Sequence, residues 1–324
     1  MTAPLRRRAV ATRPSAAALA LACLVAVVVA CGEPALPVQP LPDDLDQAAS
    51  EPLSARTSVA FGVSDLTGLG HPDLRVEPLR AYLQSATGLP IVARVFDRPD
   101  ALIAAVARSE VHVAMLSPLA YVRARQRIRG LRPLATATER GSPTYLGYFV
   151  VRRGSPRQSL ESLRGATVAY VDRTSTSGYL YPRALLRSRG YDPGTFFSHA
   201  EFLGSHVEVV RAVARGDVEV GAVAQGFVDS ASRLREPQSN EIEVIAKTAR
   251  IPFDCFAAAP RTPLPIAGRV RRALLALDAN RAAQSAVTAT LSFGAFVRTS
   301  NTRYDGIAEQ IALERADAPR AQVP

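Results

Sequence analysis

From residue 58 onward the chain alternates between short apolar runs and longer stretches whose apolar positions recur at helical spacing. Residues 58–63 (Ser-Val-Ala-Phe-Gly-Val) predict a first strand, and residues 72–87 a helix stopped by Gly88. Residues 89–96 predict a second strand, 100–108 a second helix and 111–116 a third strand. This β-α-β-α-β order implies a parallel sheet with helices on both faces. Residues 144–151 are strand-like and open a new series, which predicts that the chain crosses from one lobe to another. In that series residues 166–171 read as a buried strand. Ser205 and Glu208 fit a capping box for a helix ending at Gly216, and 218–223 reads as the next strand. Residues 241–247 predict a strand running back to the first lobe, and helical runs at 270–277 and 306–313 are expected to close the fold against it.

The most informative stretch follows the strand at 166–171: Ser175-Thr176-Ser177-Gly178-Tyr179-Leu180-Tyr181-Pro182. It gathers hydroxyls at the start of a helix, where the first four N–H groups lack internal partners and the helix dipole is positive. Ser175 or Ser177 serves there either as an ordinary N-cap or as part of a seat for a tetrahedral oxyanion. Pro182 places the start of the regular helix after a looser lead-in, and Gly178 lets the backbone come close.

Other candidates lie where strands end. Ligands of parallel sheets gather beyond the carboxyl ends of the strands, which singles out Ser117, Pro118 and Tyr121 after the third strand. Tyr121 either lines a cleft or packs on the following helix. His206, in the first turn of a helix, is either a solvated residue beside a cap or a neutral donor to an anion. Asp254, in Arg250-Ile251-Pro252-Phe253-Asp254, is either a turn residue or an acceptor at the cleft rim.

Composition narrows the classes. The net charge is +10, but Arg6, Arg7, Arg8 and Arg13 account for four of those charges, and no basic block is interleaved with aromatics. No nucleic-acid partner is expected. Those arginines precede an apolar run, residues 19–30, too short for a comfortable membrane span, so residues 1–30 read as an export signal. Val28-Val29-Ala30-Cys31 resembles a bacterial lipobox, which implies a mature chain beginning at a lipidated Cys31. Cys23 falls in the signal and Cys31 carries the lipid, so Cys255 alone remains and no intramolecular disulfide can form. Residues 31–56, acidic and rich in proline, are expected to form a disordered tether. The four histidines (His71, His112, His199 and His206) lack metal-ligand spacing, no phosphate loop or nucleophile elbow occurs, and neither an enzyme nor a cofactor is expected.

Taken together, Asp172-Arg173-Thr174-Ser175-Thr176-Ser177-Gly178-Tyr179-Leu180-Tyr181-Pro182-Arg183, Gly204-Ser205-His206, Gly141-Ser142-Pro143-Thr144-Tyr145 and Ile251-Pro252-Phe253-Asp254 resemble the periplasmic phosphonate-binding proteins. These are the solute receptors of bacterial phosphonate, phosphate and phosphite ABC importers. The resemblance covers residues 59–312. It implies an α/β, two-lobed periplasmic-binding-protein fold of type II, each lobe a mostly parallel sheet flanked by helices, with the ligand in the cleft between them. Residues 57–144 and 249–324 would form one lobe and 145–248 the other.

By the same resemblance Ser175, Thr176 and Ser177 bind the oxyanion, Tyr145 and His206 also reach it, and Asp254 matches an acid that faces a ligand ammonium. Two departures stand out. Arg98-Pro99-Asp100 replaces a tyrosine that often precedes the second helix, and a second carboxylate is missing around Ala224, Gln225 and Gly226. The expectation is a monomeric, high-affinity solute-binding lipoprotein, membrane-anchored through its N-terminal lipid. It faces the periplasm or the outer side of the cytoplasmic membrane and delivers an oxyanion to an ABC permease. The alternative is a sensory receptor of the same fold that signals to a membrane kinase.

Overall fold

The computed structural model describes residues 42–50, 58–65, 67–229 and 236–317. The expected signal peptide, Cys31 and much of the expected tether lie outside the described residues. The chain runs α1 (Pro42–Ala48), β1 (Val59–Ser64), α2 (Pro72–Thr87), β2 (Ile91–Phe96), α3 (Pro99–Ala107), β3 (Val113–Leu116), α4 (Pro118–Arg127) and β4 (Arg132–Thr138). A crossing strand, β5 (Thr144–Tyr145), leads to β6 (Gly147–Arg152) and β7 (Thr167–Tyr170). A π-helical turn, Thr176–Leu180, then runs into α5 (Tyr181–Ser188), followed by β8 (His199–Phe202), α6 (His206–Arg215), β9 (Val220–Ala224) and β10 (Ile242–Lys247). The return strand β11 (Ile251–Pro252) is followed by β12 (Cys255–Ala258), α7 (Leu264–Leu275), α8 (Arg281–Leu291), β13 (Ala295–Val297) and α9 (Asp305–Asp317).

Two sheets result. The first has the order β13-β4-β12-β3-β1-β2 and the second β10-β6-β9-β7-β8. Between them β5 and β11 pair antiparallel, Tyr145 opposite Ile251, so the outgoing and returning chains form one short ribbon. Each sheet is mixed rather than mostly parallel. β1 runs parallel to β2 and β3, and β7 to β8 and β9. Strands β12, β4 and β13 pair antiparallel in the first sheet, as do β6 and β10 with their neighbours in the second. The reason is the double crossing: a chain that leaves a sheet and returns through the ribbon enters it from the opposite end.

Both faces of the first sheet are covered, which explains why β1 reads as a continuous apolar run. Val59, Phe61 and Val63 pack with Leu79 and Leu83 of α2 and with Val270 and Leu274 of α7. Leu102 and Val106 of α3 and Leu119 and Val122 of α4 form the opposite core with Ala114 and Leu116 of β3. In the second sheet β6 divides by alternation: Tyr148 and Val150 join Val209, Val210 and Val213 of α6, whereas Phe149 and Val151 join Leu163, Leu186 and Phe196. Burying each such side chain stabilises the fold by about 1.5–3 kcal/mol.

The expected tether needs a correction over residues 42–50. Leu45, Ala48 and Ala49 are spaced three and four apart, so a helical turn puts them on one face, and all three are buried. The Asp46 carboxylate meets Arg271 of α7 at 2.7 Å and Arg298 at 2.7 Å. The helices approach so closely at Gly268 that a Cβ there would lie 2.2 Å from the Leu45 carbonyl oxygen. Proline and acidic residues dominate the local composition and hide this short apolar face. Gly268→Val is therefore expected to dislodge α1: hydrogen–deuterium exchange should show residues 42–50 losing protection while β1 and β3 keep theirs.

Candidate functional site

Strand β7 delivers the chain to Asp172, whose Oδ1 accepts the Thr174 N–H at 2.7 Å and fixes the turn that follows. Ser175 is extended, and its Oγ accepts the Gly178 N–H at 3.0 Å, a true N-cap. Pro182 has no N–H to offer the Gly178 carbonyl, which accepts from Val171 instead at 3.2 Å. The lead-in thus winds as a π turn, closed by Leu180 N–H to Ser175 O at 3.1 Å, before α5 begins. Gly178 is required by space: a Cβ there would meet Val171 Cγ2 at 2.4 Å. Capping and anion-seat roles are compatible, because a hydroxyl that accepts from the backbone keeps its own hydrogen to donate.

Thr176 is in the same position. Its Oγ1 accepts the Leu119 N–H at 2.9 Å, at the start of α4 in the other half of the molecule. The Tyr145 hydroxyl lies on the side of the Ser177 and Thr176 hydroxyls. Burial raises its pKa above the usual phenol value, with those two hydroxyls pulling the other way, so it is a neutral donor. Its ring lies against Phe253, centroids 4.9 Å apart.

His206 opens α6 and is 7% exposed. Its Nδ1 accepts the Ala224 N–H at 3.2 Å, and its ring stacks on Phe227 at 4.7 Å and 16°. Burial pulls its pKa down to about 3, so the ring is neutral and its single hydrogen sits on Nε2.

These groups line one cavity of about 180 Å³. The second-sheet half supplies Ser175, Thr176, Ser177, His206 and Gln225, and the first-sheet half faces them with Ser64, Asp65, Ser117 and an apolar surface. Asp254 stands at the junction, and among the described residues its carboxyl has no hydrogen-bonding partner. Burial raises its pKa to about 7. Burial also raises that of Glu139, which lines the rim. Arg75 of α2 is the cation of this lining, and its guanidinium donates to Thr67 Oγ1 at 2.6 Å and to Thr290 O at 3.2 Å, with Asp65 3.7 Å away. The arrangement offers neutral donors of the kind that suit an oxyanion, and Asp254 is the carboxyl among the lining groups whose pKa is raised to about 7.

The structure thus gathers Tyr145, Ser175, Thr176, Ser177, His206 and Asp254 around one cavity. Tyr121 does not join them, which corrects its placement in the ligand site. It is fully buried, its hydroxyl donates to Asn301 Oδ1, and its ring packs on Tyr304 at 4.7 Å; a large aromatic on the sheet-facing side of α4 fills the core. Arg98 precedes α3, is exposed and is not part of the cavity wall. At the site of the missing carboxylate stands the Gln225 amide, whose Oε1 accepts the Leu146 N–H at 2.7 Å. Sequence reasoning missed Ser64, Asp65 and Thr67, although Ser64 ends β1 and the other two follow it, much as Ser117 follows β3, and the strand-end rule finds both. It also missed Arg75 and Glu139, for which no local signal exists.

A cleft between two mixed sheets, joined by a paired crossover and lined from both sides, defines a type II periplasmic binding protein. The family model described as "ABC transporter, phosphonate, periplasmic substrate-binding protein" matches residues 73–304, and the chain belongs to that family, one of binding proteins rather than enzymes. The chain is 28% identical over 168 residues to the phosphate-import protein PhnD of Mycolicibacterium smegmatis; the match covers 48% of this chain and spans about half the relative's length, 52%. Among solved structures it resembles a binding protein component of an ABC phosphonate transporter from Pseudomonas aeruginosa (TM-score 0.71, 21% identity, 81% of this chain and 88% of that one). It also resembles PhnD1 of Prochlorococcus marinus in complex with methylphosphonate (TM-score 0.68, 16% identity, 81% and 99%). No helix among the described residues is long and apolar enough to cross a membrane.

The Asp254 carboxyl gives a direct test of this electrostatic picture. Its folded pKa of about 7 lies above the ordinary value of 3.8, so the folded state holds a proton that the unfolded chain has released between those pH values. Its contribution to stability falls as pH rises from about 4 to 7 and is level above that. Tyr145, Tyr304 and Cys255, which face it, are all held neutral across this range. Asp254→Asn is expected to raise the melting temperature of the ligand-free protein by several degrees at pH 8 and to change it little at pH 4, as read by thermal denaturation.

Proposed function

We propose that this protein is the solute-binding lipoprotein of an ABC importer and captures a phosphonate, phosphate or phosphite in the cavity between its two halves. The observation that carries this reading is the convergence of the Ser175, Thr176, Ser177 and Tyr145 hydroxyls and the His206 Nε2–H on a space that also faces the unpartnered Asp254 carboxyl. The donors suit an anion, and the carboxyl suits the acidic hydrogen of a P–OH group. A fully ionised sulfonate has no such hydrogen and would depend on the proton that Asp254 itself holds. The methylphosphonate bound by a neighbour of the same fold supports this class of ligand.

In this reading Cys31 carries the lipid, the monomer stands on the outer side of the cytoplasmic membrane or in the periplasm, and the closed form is handed to a permease. Binding favours closure only through contacts that both halves make, and the cavity has a wall from each. Residues 57–144 with 249–324 move as one lobe and 145–248 as the other, the β5–β11 ribbon acting as hinge. Calorimetric titration of the purified protein with phosphate, phosphite and methylphosphonate tests the reading. At least one is expected to bind tightly, and Ser175→Ala with Thr176→Ala to weaken it about a hundredfold or more, since each lost hydrogen bond to a charged group costs about 1.5–3 kcal/mol. Unchanged affinity in the double variant would remove the seat from Ser175 and Thr176.

A further inference from the structure

The wall opposite the seat carries information that an oxyanion alone does not use. Val63, Val76, Leu291 and Phe293 belong to the buried core of the first sheet, Met115 and Phe253 pack on it, and all six line the cavity. This surface is built and held rather than left over. Phe293 packs edge-to-face on Phe256 at 6.3 Å and 84° and on Phe296 at 5.6 Å and 70°. Between Leu291 and Phe293, Ser292 caps the end of α8 in the left-handed region, φ 67°, where an L-residue is strained. That turn brings Leu291, Ser292 and Phe293 together to the cavity.

Volume points the same way. A single water needs about 10–15 Å³ of such space, so 180 Å³ holds roughly a dozen heavy atoms, about twice what a phosphate fills. Among the described residues the one cation on this side, Arg75, is already tied to Asp65, Thr67 and Thr290, and Glu139 stands at the rim with its pKa raised by burial. Asp254, next to Phe253, stands at the junction of the seat and this wall.

We propose that the ligand carries an uncharged apolar substituent of three or more carbons: the site takes a longer alkyl- or an arylphosphonate, or the matching phosphate monoester, with its head on the Ser175–Ser177 turn and its substituent against the Val63, Val76, Met115, Phe253, Leu291 and Phe293 wall. This rests on the oxyanion reading above and narrows it. Each methylene buried there tightens binding about fourfold, the equivalent of about 0.8 kcal/mol.

The test is calorimetric titration of the purified protein with phosphate, methylphosphonate, propylphosphonate, pentylphosphonate and 2-aminoethylphosphonate, which matches propylphosphonate in length but ends in a cation. Affinity is expected to rise about tenfold or more from methyl to propyl and again to pentyl, with propyl tighter than aminoethyl. Met115→Gln is expected to lower the propyl-to-methyl ratio. Tight methylphosphonate or phosphate binding with flat or falling affinity along the alkyl series overturns the inference and leaves the oxyanion seat intact, as does aminoethyl tighter than propyl. Failure of all five to bind overturns both.

Discussion

The Thr176 hydroxyl accepts the Leu119 N–H at 2.9 Å, and the Thr67 carbonyl accepts the Val207 N–H at 3.2 Å. In each case the donor lies in the first turn of a helix, α4 in one half and α6 in the other, and the acceptor comes from the opposite half. A helix start buried without partners is costly, about 1–3 kcal/mol for each unsatisfied donor. Each half therefore completes a helix of its counterpart, and the cavity is the space enclosed when both completions are made. The groups that join the two halves also stand at the cavity: Thr176 lines it, and Val207 follows His206, which lines it too.

Closure by backbone donors and hydroxyls keeps the enclosed site free of unpaired positive charge. His206 is neutral because burial removes its proton and because Nδ1 is occupied by the Ala224 N–H. Arg75 reaches the lining with its guanidinium already shared among Asp65, Thr67 and Thr290. An anion entering this space exchanges water for fixed dipoles, and its interaction with them gains strength as water is excluded. In the proposed reading Asp254, with its raised pKa, requires one proton between it and the anion, so discrimination would depend on where a hydrogen sits more than on net charge.

Much of this was legible where the signal is local. The hydroxyl turn, the proline that delays α5, and the Ser205 cap, whose Oγ accepts the Glu208 N–H at 3.2 Å, are each set by neighbours within a few residues. Helix α2 has the limits that its apolar period and Gly88 imply. Strands β4, β12 and β13 were not found, since Cys255-Phe256-Ala257-Ala258 is buried on both sides and shows no alternation; its identity as a strand comes from β3 and β4, more than a hundred residues away. Tyr121 and Arg75 failed in opposite directions for one reason. Nothing along a helix states which face meets a cavity, so an aromatic near a strand end passed for a ligand residue and a helix arginine that lines the cavity drew no notice.

Distant contacts also decide how firmly the seat is held. Helix α9 packs Ile307 and Ile311 into the core shared by Tyr121, Leu180 and Tyr181, while Glu314 at its far end pairs with Arg183 at 2.8 Å and with Arg187, both on α5. Burial works against the Glu314 charge, but hydrogen bonds from Arg183, Tyr179 and Arg187 outweigh it and keep the carboxylate ionised. The helix behind the hydroxyl turn is thus braced along its length by groups that do not line the cavity. A seat fixed in this way loses little freedom when occupied, which lowers the cost of binding for any oxyanion of the right shape. Such a seat by itself distinguishes poorly among substituents. In the proposed reading selection among them comes from the wall across the cleft, and the C-terminal part of the chain that braces α5 through α9 also contributes to that wall, through the strained turn at Ser292.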